Sequence, residues 1–230
     1  MENYTSRQLT NDFDSLNAFL GVVGYLRKAW IPNGFVWGLP LRDFPQSLRW
    51  FHPRQVKPRR RSGFPSWSWC GWEGTATYSG SLDLLKTRGH SYVPVGSPDA
   101  RVSMATDMTV KYAGIDGQVL TVEGYQITLD IRTEPFSEAF AIETGVSLGP
   151  VRERNFLHNN TLATGRYEFL VVERFKYRTA EDRPLREEVY MILLEGNGEI
   201  RKRRTKVRIS LDFGRTFEEA RPRFGRVKLL

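Results

Sequence analysis

Few residues in this chain can do chemistry, and their spacing limits what they can do. Cys70 is the single cysteine among 230 residues, so an intramolecular disulfide framework is excluded. A thiolate nucleophile needs a base and an electropositive setting, and Arg59, Arg60 and Arg61 lie nine to eleven positions upstream. Yet Cys70 stands within Pro65-Ser66-Trp67-Ser68-Trp69-Cys70-Gly71-Trp72, among large apolar rings, where a free cysteine behaves as a small hydrophobe. Ser66 and Ser68 lack the Gly-x-Ser-x-Gly turn that exposes a hydrolase nucleophile, and no histidine is close in sequence to serve either type. His52, His90 and His158 are too scattered to form a zinc motif with Cys70. Glycine-rich phosphate loops are absent, and the neighbouring carboxylates Asp12 and Asp14, or Glu187 and Glu188, read as caps and solvated faces rather than an acid and base pair. The sequence therefore predicts no catalytic residue, no cofactor-binding residue and no metal ligand.

Charge gives a second line. Lys plus Arg total 34 against 26 Asp plus Glu, a net of +8. Residues 42–61 hold seven basic residues and one acid, and residues 195–230 hold eleven and five, so each segment nets +6 and the rest of the chain is acidic. Arg59-Arg60-Arg61 and Arg201-Lys202-Arg203-Arg204 raise a nucleic-acid hypothesis, because clustered guanidinium and ammonium groups neutralise phosphates and nearby tryptophans can stack on bases. The competing reading is a solvated strand edge that discourages edge-to-edge pairing.

The elements that must position these residues differ between the two ends of the chain. All six tryptophans lie between Trp30 and Trp72, and composition shifts after about residue 74. Leu16, Phe19, Leu20, Val23, Leu26 and Trp30 recur at three- and four-residue steps and predict a helix, with Asp12 or Asp14 as its cap and Pro32-Asn33-Gly34 ending it. Gly21 and Gly24 inside it predict the close approach of another element. Asp43 to Trp50 fits a short second helix with proline in its first turn. Beyond residue 74 the pattern alternates: Val119 to Glu123, Tyr125 to Thr133, Arg166 to Tyr177, Val189 to Glu195, Glu199 to Leu211 and Arg226 to Leu230 read as strands. Gly124 predicts a bulge or bend, Gly196-Asn197-Gly198 a hairpin turn, and Phe217 to Ala220 a helical turn. Residues 83–108 and 134–160 are weakly patterned and read as loops with short elements.

The expected fold is α+β: an N-terminal helical layer, residues 1–74, docked by the Trp67 to Trp72 segment onto a predominantly antiparallel, β-sandwich-like region, residues 75–230, the two making one continuous globular unit. The ordinary balance of 40% hydrophobic and 26% charged residues predicts a folded chain. Neither a membrane span nor a signal peptide is legible, so a cytoplasmic location is expected.

Several motifs in order carry a resemblance. Tyr4-Thr5-Ser6-Arg7-Gln8-Leu9-Thr10, Asp14-Ser15-Leu16-Asn17-Ala18-Phe19 with Gly21, Trp37-Gly38-Leu39-Pro40, Leu48-Arg49-Trp50 and Phe64-Pro65-Ser66-Trp67-Ser68-Trp69-Cys70-Gly71-Trp72 resemble the segment that follows the HET core in fungal heterokaryon-incompatibility proteins. The resemblance covers residues 4–74 well and the β-rich remainder loosely. The HET core's own motifs, an early Tyr-x-x-Leu-Ser-Tyr-x-Trp-Gly-like strand and an Arg-Gly-Trp-x-x-Gln-Glu-like end, do not occur in this sequence. What the resemblance implies is an intracellular fungal protein linked to non-self recognition and regulated cell death. Within it this chain is a non-enzymatic accessory part, whose partner is an adjacent HET core or another protein. No catalytic residue is carried over. The matched positions have structural readings: Leu16, Phe19 and Leu20 as a helix face, Trp67, Trp69 and Trp72 as packed rings, and Arg7 or Asp14 as a cap or buried ion-pair partner. An accessory role predicts an exposed apolar patch on the helical layer. The alternative is a basic nucleic-acid-binding module, which requires both arginine-rich segments to lie on one face.

Overall fold

A computed structural model describes residues 2–29, 34–41, 44–53, 56–78, 105–108, 110–133, 139–143, 146–153, 162–177, 186–211 and 214–230. Within these the chain is rich in β-strand and carries an N-terminal helix. Helix α1 (Glu2–Thr5) is a single turn, and α2 (Asp14–Ala29) matches the predicted periodic helix. Leu16 and Phe19 face the protein, with the Phe19 ring 5.5 Å from Tyr4 and 5.1 Å from Trp69. The Tyr4 hydroxyl donates to the Ser15 carbonyl at 2.9 Å and ties α1 to α2. The start of α2 departs from expectation: Asn11 Oδ1 accepts the Phe13 amide at 3.0 Å, while Asp12 turns toward arginines. Arg7 and Asp14 are exposed rather than buried partners. A Cβ added at Gly21 or Gly24 would meet nothing within 4 Å, so the predicted close approach is not present among the described residues.

Two short strands, β1 (Phe35–Val36) and β2 (Leu39–Pro40), pair through the two-residue turn Trp37-Gly38, with φ of 47° and 80°. Positive φ at both positions matches the twist of the flanking strands. The second helix, α3 (Phe44–Ser47), is one turn shorter than the sequence suggests and gives way to β3 (Trp50–Phe51). Ser47 Oγ donates to the Phe44 carbonyl at 2.7 Å, occupying an acceptor at the helix end. Strand β4 (Arg59–Arg60) pairs with β5 (Trp72–Glu73), and β3 with β6 (Thr77–Tyr78).

The remaining strands form one sheet of nine. They are β7 (Ala105–Met108), β8 (Lys111–Asp116), β9 (Val119–Thr133), β10 (Ala139–Glu143), β11 (Val146–Glu153), β12 (Gly165–Tyr177), β13 (Arg186–Glu195), β14 (Ile200–Ser210) and β15 (Arg223–Leu229). Their pairings close on themselves: β9 pairs β10, β10 pairs β11, β11 pairs β14, β14 pairs β13, β13 pairs β12, and β12 pairs β9. A closed ring has no free edge along those strands, and it replaces the two facing sheets that a sandwich would need. All pairings are antiparallel except β14 with β15, which is parallel. Strands β7, β10 and β11 lie in the stretches expected to be loops with short elements, which the sequence did not identify as strands. Pro150 within β11 and the register shift at Ala141/Ile142 of β10 break the alternation that would have announced them. Gly124 is not a bulge: β9 runs unbroken, and its pairing with β15 keeps register through Gly124.

Gly124 instead marks a change of face. Before it, Leu120 and Val122 are buried on one side of β9; after it, Ile127, Leu129 and Ile131 are buried on the other. Each side has its own core. The inner core fills the ring with Ile127, Leu129, Ile131, Phe169, Val171, Val189, Met191, Leu193, Val207 and Ile209. The outer core joins Leu120, Val122, Leu170, Val172, Ile192, Leu194, Val227 and Leu229 to Leu39, Leu48, Trp50, Phe64, Trp67 and Trp69 of the N-terminal segment. Residues on both sides of position 74 therefore share one core. The layer laid on the barrel is chiefly the tryptophan-rich stretch of short strands and turns, with α2 outermost.

Candidate functional site

The residues singled out from the sequence converge where the tryptophan-rich segment meets the barrel. Each of the five described tryptophans donates its indole N–H to a backbone carbonyl: Trp37 to Gly117 at 3.0 Å, Trp50 to Trp67 at 2.9 Å, Trp67 to Gln118 at 2.9 Å, Trp69 to Gly38 at 3.1 Å and Trp72 to Ser66 at 2.9 Å. A buried ring with its one polar atom satisfied is a structural device, not a stacking platform. Trp30 lies outside the described residues, as do His90 and His158.

Cys70 is fully buried, with Sγ 2.9 Å from Ser68 Oγ. Burial pushes its thiol up to about 11, which keeps it protonated and unreactive at neutral pH. Ser68 Oγ accepts the Cys70 amide at 3.2 Å and caps the 3-10 turn Trp69–Gly71. Ser66 Oγ accepts the Arg203 amide at 2.8 Å and donates to the Leu230 carbonyl, fastening the segment to β14 and to the chain end. A side chain at Gly71 would place Cβ 2.3 Å from the Pro65 carbonyl oxygen, so only glycine fits there.

The arginine-rich segments are split: Arg61 and Arg203 are buried, Arg60 and Arg201 half-buried, and Arg59, Lys202 and Arg204 exposed. Arg59 pairs with Asp12 at 2.9 Å and with Glu73 at 2.5 Å. Arg61 reaches Asp12 at 3.2 Å, Ser15 Oγ at 3.3 Å and the Trp72 carbonyl. Arg60 donates to the carbonyls of Arg61, Phe64 and Gly71 and lies over the Trp72 ring. Arg203 is buried, donates to the Leu48 carbonyl at 2.8 Å and to the Trp50 carbonyl, and stacks 3.8 Å over the Trp50 ring. Burial lowers its guanidinium to about 9, still charged at neutral pH. Arg203 faces the outer core because β14 bulges: Leu193 pairs Thr205 and Leu194 pairs Arg203, leaving Arg204 as the extra residue. The two basic segments thus do not present one exposed face of the kind phosphate neutralisation requires.

Two buried ionisable groups escaped the sequence reading. Glu173 on β12 is buried beside Arg49, Nε to Oε2 at 2.9 Å, with Lys206 and Tyr190 adjacent. Burial pushes it up to about 7 against the pull of Arg49 and Lys206. His52 lies between the Trp50 and Trp72 rings, its Nδ1–H donating to the Thr75 carbonyl at 2.8 Å, while Nε2 has no hydrogen-bond partner among the described residues. Burial lowers it to about 4, and Arg203 and Arg61 add repulsion. Isolated in an otherwise ordinary strand and turn, neither residue carries a local sequence signal.

These two groups act on stability in opposite directions. The unfolded chain protonates His52 near its ordinary 6.5 while the folded chain resists until about 4, so its contribution is complete above 6.5 and is lost as pH falls through that window. Glu173 releases its proton near 4.5 when unfolded but near 7 when folded, so its contribution is present below 4.5 and is lost as pH rises through 7. The two windows overlap, so the opposing contributions offset each other between about 4.5 and 6.5 in the native chain and should leave its urea midpoint nearly level there. His52→Phe should uncover a midpoint that falls as pH rises from about 4.5 to 7, and Glu173→Gln one that rises from about 4 to 6.5; variants that both keep the native profile would refute the assignment.

Among the described residues no group of three or more His, Cys, Asp or Glu side chains is placed to hold a metal, and no helix is long and apolar enough to cross a membrane. Searches against protein-family models, curated proteins and solved structures found no match. What the geometry leaves available to a partner is on the outside. Phe13, just before α2, and Leu20 and Val22, on opposite flanks of it, are 61%, 51% and 46% exposed, and a side chain at Gly21 or Gly24 would meet nothing within 4 Å.

Proposed function

We propose that this chain is a non-enzymatic accessory module of a heterokaryon-incompatibility-type protein, one that docks a HET core against the outer face of α2. The observation that carries the reading is the exposure of apolar side chains on both flanks of that face: Leu20 and Val22, two positions apart and so on opposite flanks of the helix, are about half exposed, Phe13 just before the helix is more so, and Gly21 and Gly24 leave room for close approach. Exposed apolar side chains that bracket a helix face in this way support reading it as a contact surface. The occupant follows from the sequence resemblance, in which the HET core is the neighbour of this segment, and from the inward use of the chemistry-bearing residues, which leaves a binding role in place of a catalytic one. The link to non-self recognition and regulated cell death rests on the same resemblance.

The test is calorimetric titration of the whole chain with a separately purified HET core of a family member. Saturable binding that is lost in Leu20→Glu/Val22→Glu, while the variant keeps its thermal midpoint, is the expected result. Binding insensitive to both substitutions, or no binding by the unaltered chain, would sink the reading.

A further inference from the structure

Strands β13 and β14 are joined by a turn at Gly196-Asn197-Gly198, whose tip is an asparagine followed by a glycine. Glu195 through Ile200 are all exposed, so the turn stands in water. Gly196 has φ of 103°, which brings the chain round with no side chain to resist it. Neither the Asn197 side chain nor the Gly198 amide makes a hydrogen bond among the described residues. A Cβ added at Gly198 would meet nothing within 4 Å, so the space around that amide is open as well.

An asparagine carboxamide is an electrophile, and the nucleophile nearest to it along the chain is the backbone nitrogen of the next residue. The two react when that nitrogen is unbonded, when no side chain shields it, and when the backbone is held in neither helix nor strand. Asn197-Gly198 meets all three conditions. The other described asparagines do not. Asn3 and Asn17 lie in α1 and α2 and precede Tyr4 and Ala18, while Asn11 precedes Asp12 and uses its Oδ1 to hold the Phe13 amide at 3.0 Å. Arg201 donates to the Gly196 carbonyl and pairs with Glu168 at 2.7 Å, which puts a cation at the base of the turn, where it favours an anionic nitrogen.

We propose that Asn197 is a site of spontaneous deamidation, converted with time to aspartate and isoaspartate. The Gly198 nitrogen, having given its proton to hydroxide, attacks Asn197 Cγ. That C–N bond forms, the bond from Cγ to the side-chain nitrogen breaks, and the nitrogen leaves as ammonia with a proton from water, closing a cyclic imide. Water then opens the imide. Attack at Cγ restores the ordinary backbone with aspartate at position 197, and attack at the main-chain carbonyl leaves the chain running through Cβ and Cγ as isoaspartate. One water is consumed and one ammonia released, and nothing is oxidised or reduced. The new carboxylate stands between Glu195 and Glu199 and lowers the net charge of +8 by one. Glu199 holds Lys228, and Lys228 pairs with Ile200 where β14 meets β15, so the added like charge and the longer backbone of isoaspartate both bear on that junction. This proposal is independent of the docking role of α2.

The experiment incubates the whole folded chain at mildly acidic and mildly alkaline pH and follows, by mass spectrometry after trypsin, the peptide of residues 187–201, which is separate from the peptide of residues 29–42 that carries Asn33-Gly34. Expected are loss of Asn197 that is faster at alkaline pH, appearance of both aspartate and isoaspartate, and a rate within about 10-fold of that in a synthetic 187–201 peptide, because the fold protects an exposed turn so little. Gly198→Ala should slow the loss by about 10-fold or more at an unchanged thermal midpoint, since its Cβ has room and its backbone is not left-handed. Asn197 that stays intact in the folded chain while the free peptide is converted would overturn the proposal. So would a rate untouched by Gly198→Ala, or aspartate formed without isoaspartate, which would mean direct hydrolysis with no part for the Gly198 nitrogen.

Discussion

Replacing Trp67 by alanine should lower the unfolding free energy by about 3–5 kcal/mol, a large share of the roughly 5–15 kcal/mol that holds a domain of this kind together. The ring is completely buried in the outer core, packed with residues of β9, β12, β13 and β15, and its indole N–H holds the Gln118 carbonyl at 2.9 Å in the turn between β8 and β9. Truncation therefore opens a cavity and strands a carbonyl at once. Trp67→Phe keeps most of the apolar area and gives up the hydrogen bond, so its cost should fall to about 1–2 kcal/mol. Guanidinium unfolding followed by far-UV circular dichroism measures both. A loss under about 1 kcal/mol in the alanine variant would mean that the segment is not held to the barrel through this ring.

The second large effect is expected at Arg203, where opposing terms must be weighed. Taking a guanidinium out of water costs several kcal/mol, and no carboxylate among the described residues pairs with it. Against that stand two carbonyl acceptors, each costing about 1–3 kcal/mol if left bare, and stacking on Trp50, worth about 2 kcal/mol when desolvated. Arg203→Ala removes every favourable term, adds a cavity, and should cost about 3–5 kcal/mol. Arg203→Met refills the space and sheds the buried charge, so it should recover part of that loss. Arg203→Lys keeps a buried charge but gives up the planar fork that serves both carbonyls, and should be worse than methionine. The order methionine, lysine, alanine in chemical-denaturation midpoints checks the account; lysine matching the native chain would contradict it.

Much of the architecture was legible where one periodicity ruled a stretch. The three- and four-residue spacing of Leu16 and Phe19 gives α2, and Gly196-Asn197-Gly198 gives the turn between β13 and β14. The Trp67 to Trp72 motif reads as packed rings and is so. What the sequence hid depends on pairing partners far along the chain. Ring closure rests on β11 meeting β14 at Val151 and Ile209, a contact no local pattern encodes. Arg203 and Arg204 look alike in the run Arg201-Lys202-Arg203-Arg204, and only the shift of register against Leu193 and Leu194 sends one inward and the other out. Asp12 or Asp14 was expected to cap α2, but two guanidinium groups take the Asp12 carboxylate, as charge-assisted pairs do, and Asn11 accepts the Phe13 amide. Glu173 is set by its neighbours Arg49 and Lys206, which reach it from the N-terminal segment and from β14.

Strands β12 and β13 carry buried side chains on both faces, with Phe169, Val171, Met191 and Leu193 turned into the ring and Leu170, Val172, Ile192 and Leu194 toward the tryptophan layer. They are a party wall. Neither interior can be opened without peeling the same two strands from their neighbours, and so the molecule, for all that it contains two cores, has one cooperative unit of unfolding. A chain assembled in this way has no half-folded refuge: the tryptophan layer cannot loosen to leave a sealed barrel behind, because lifting it bares the outward row of the very strands that close the ring.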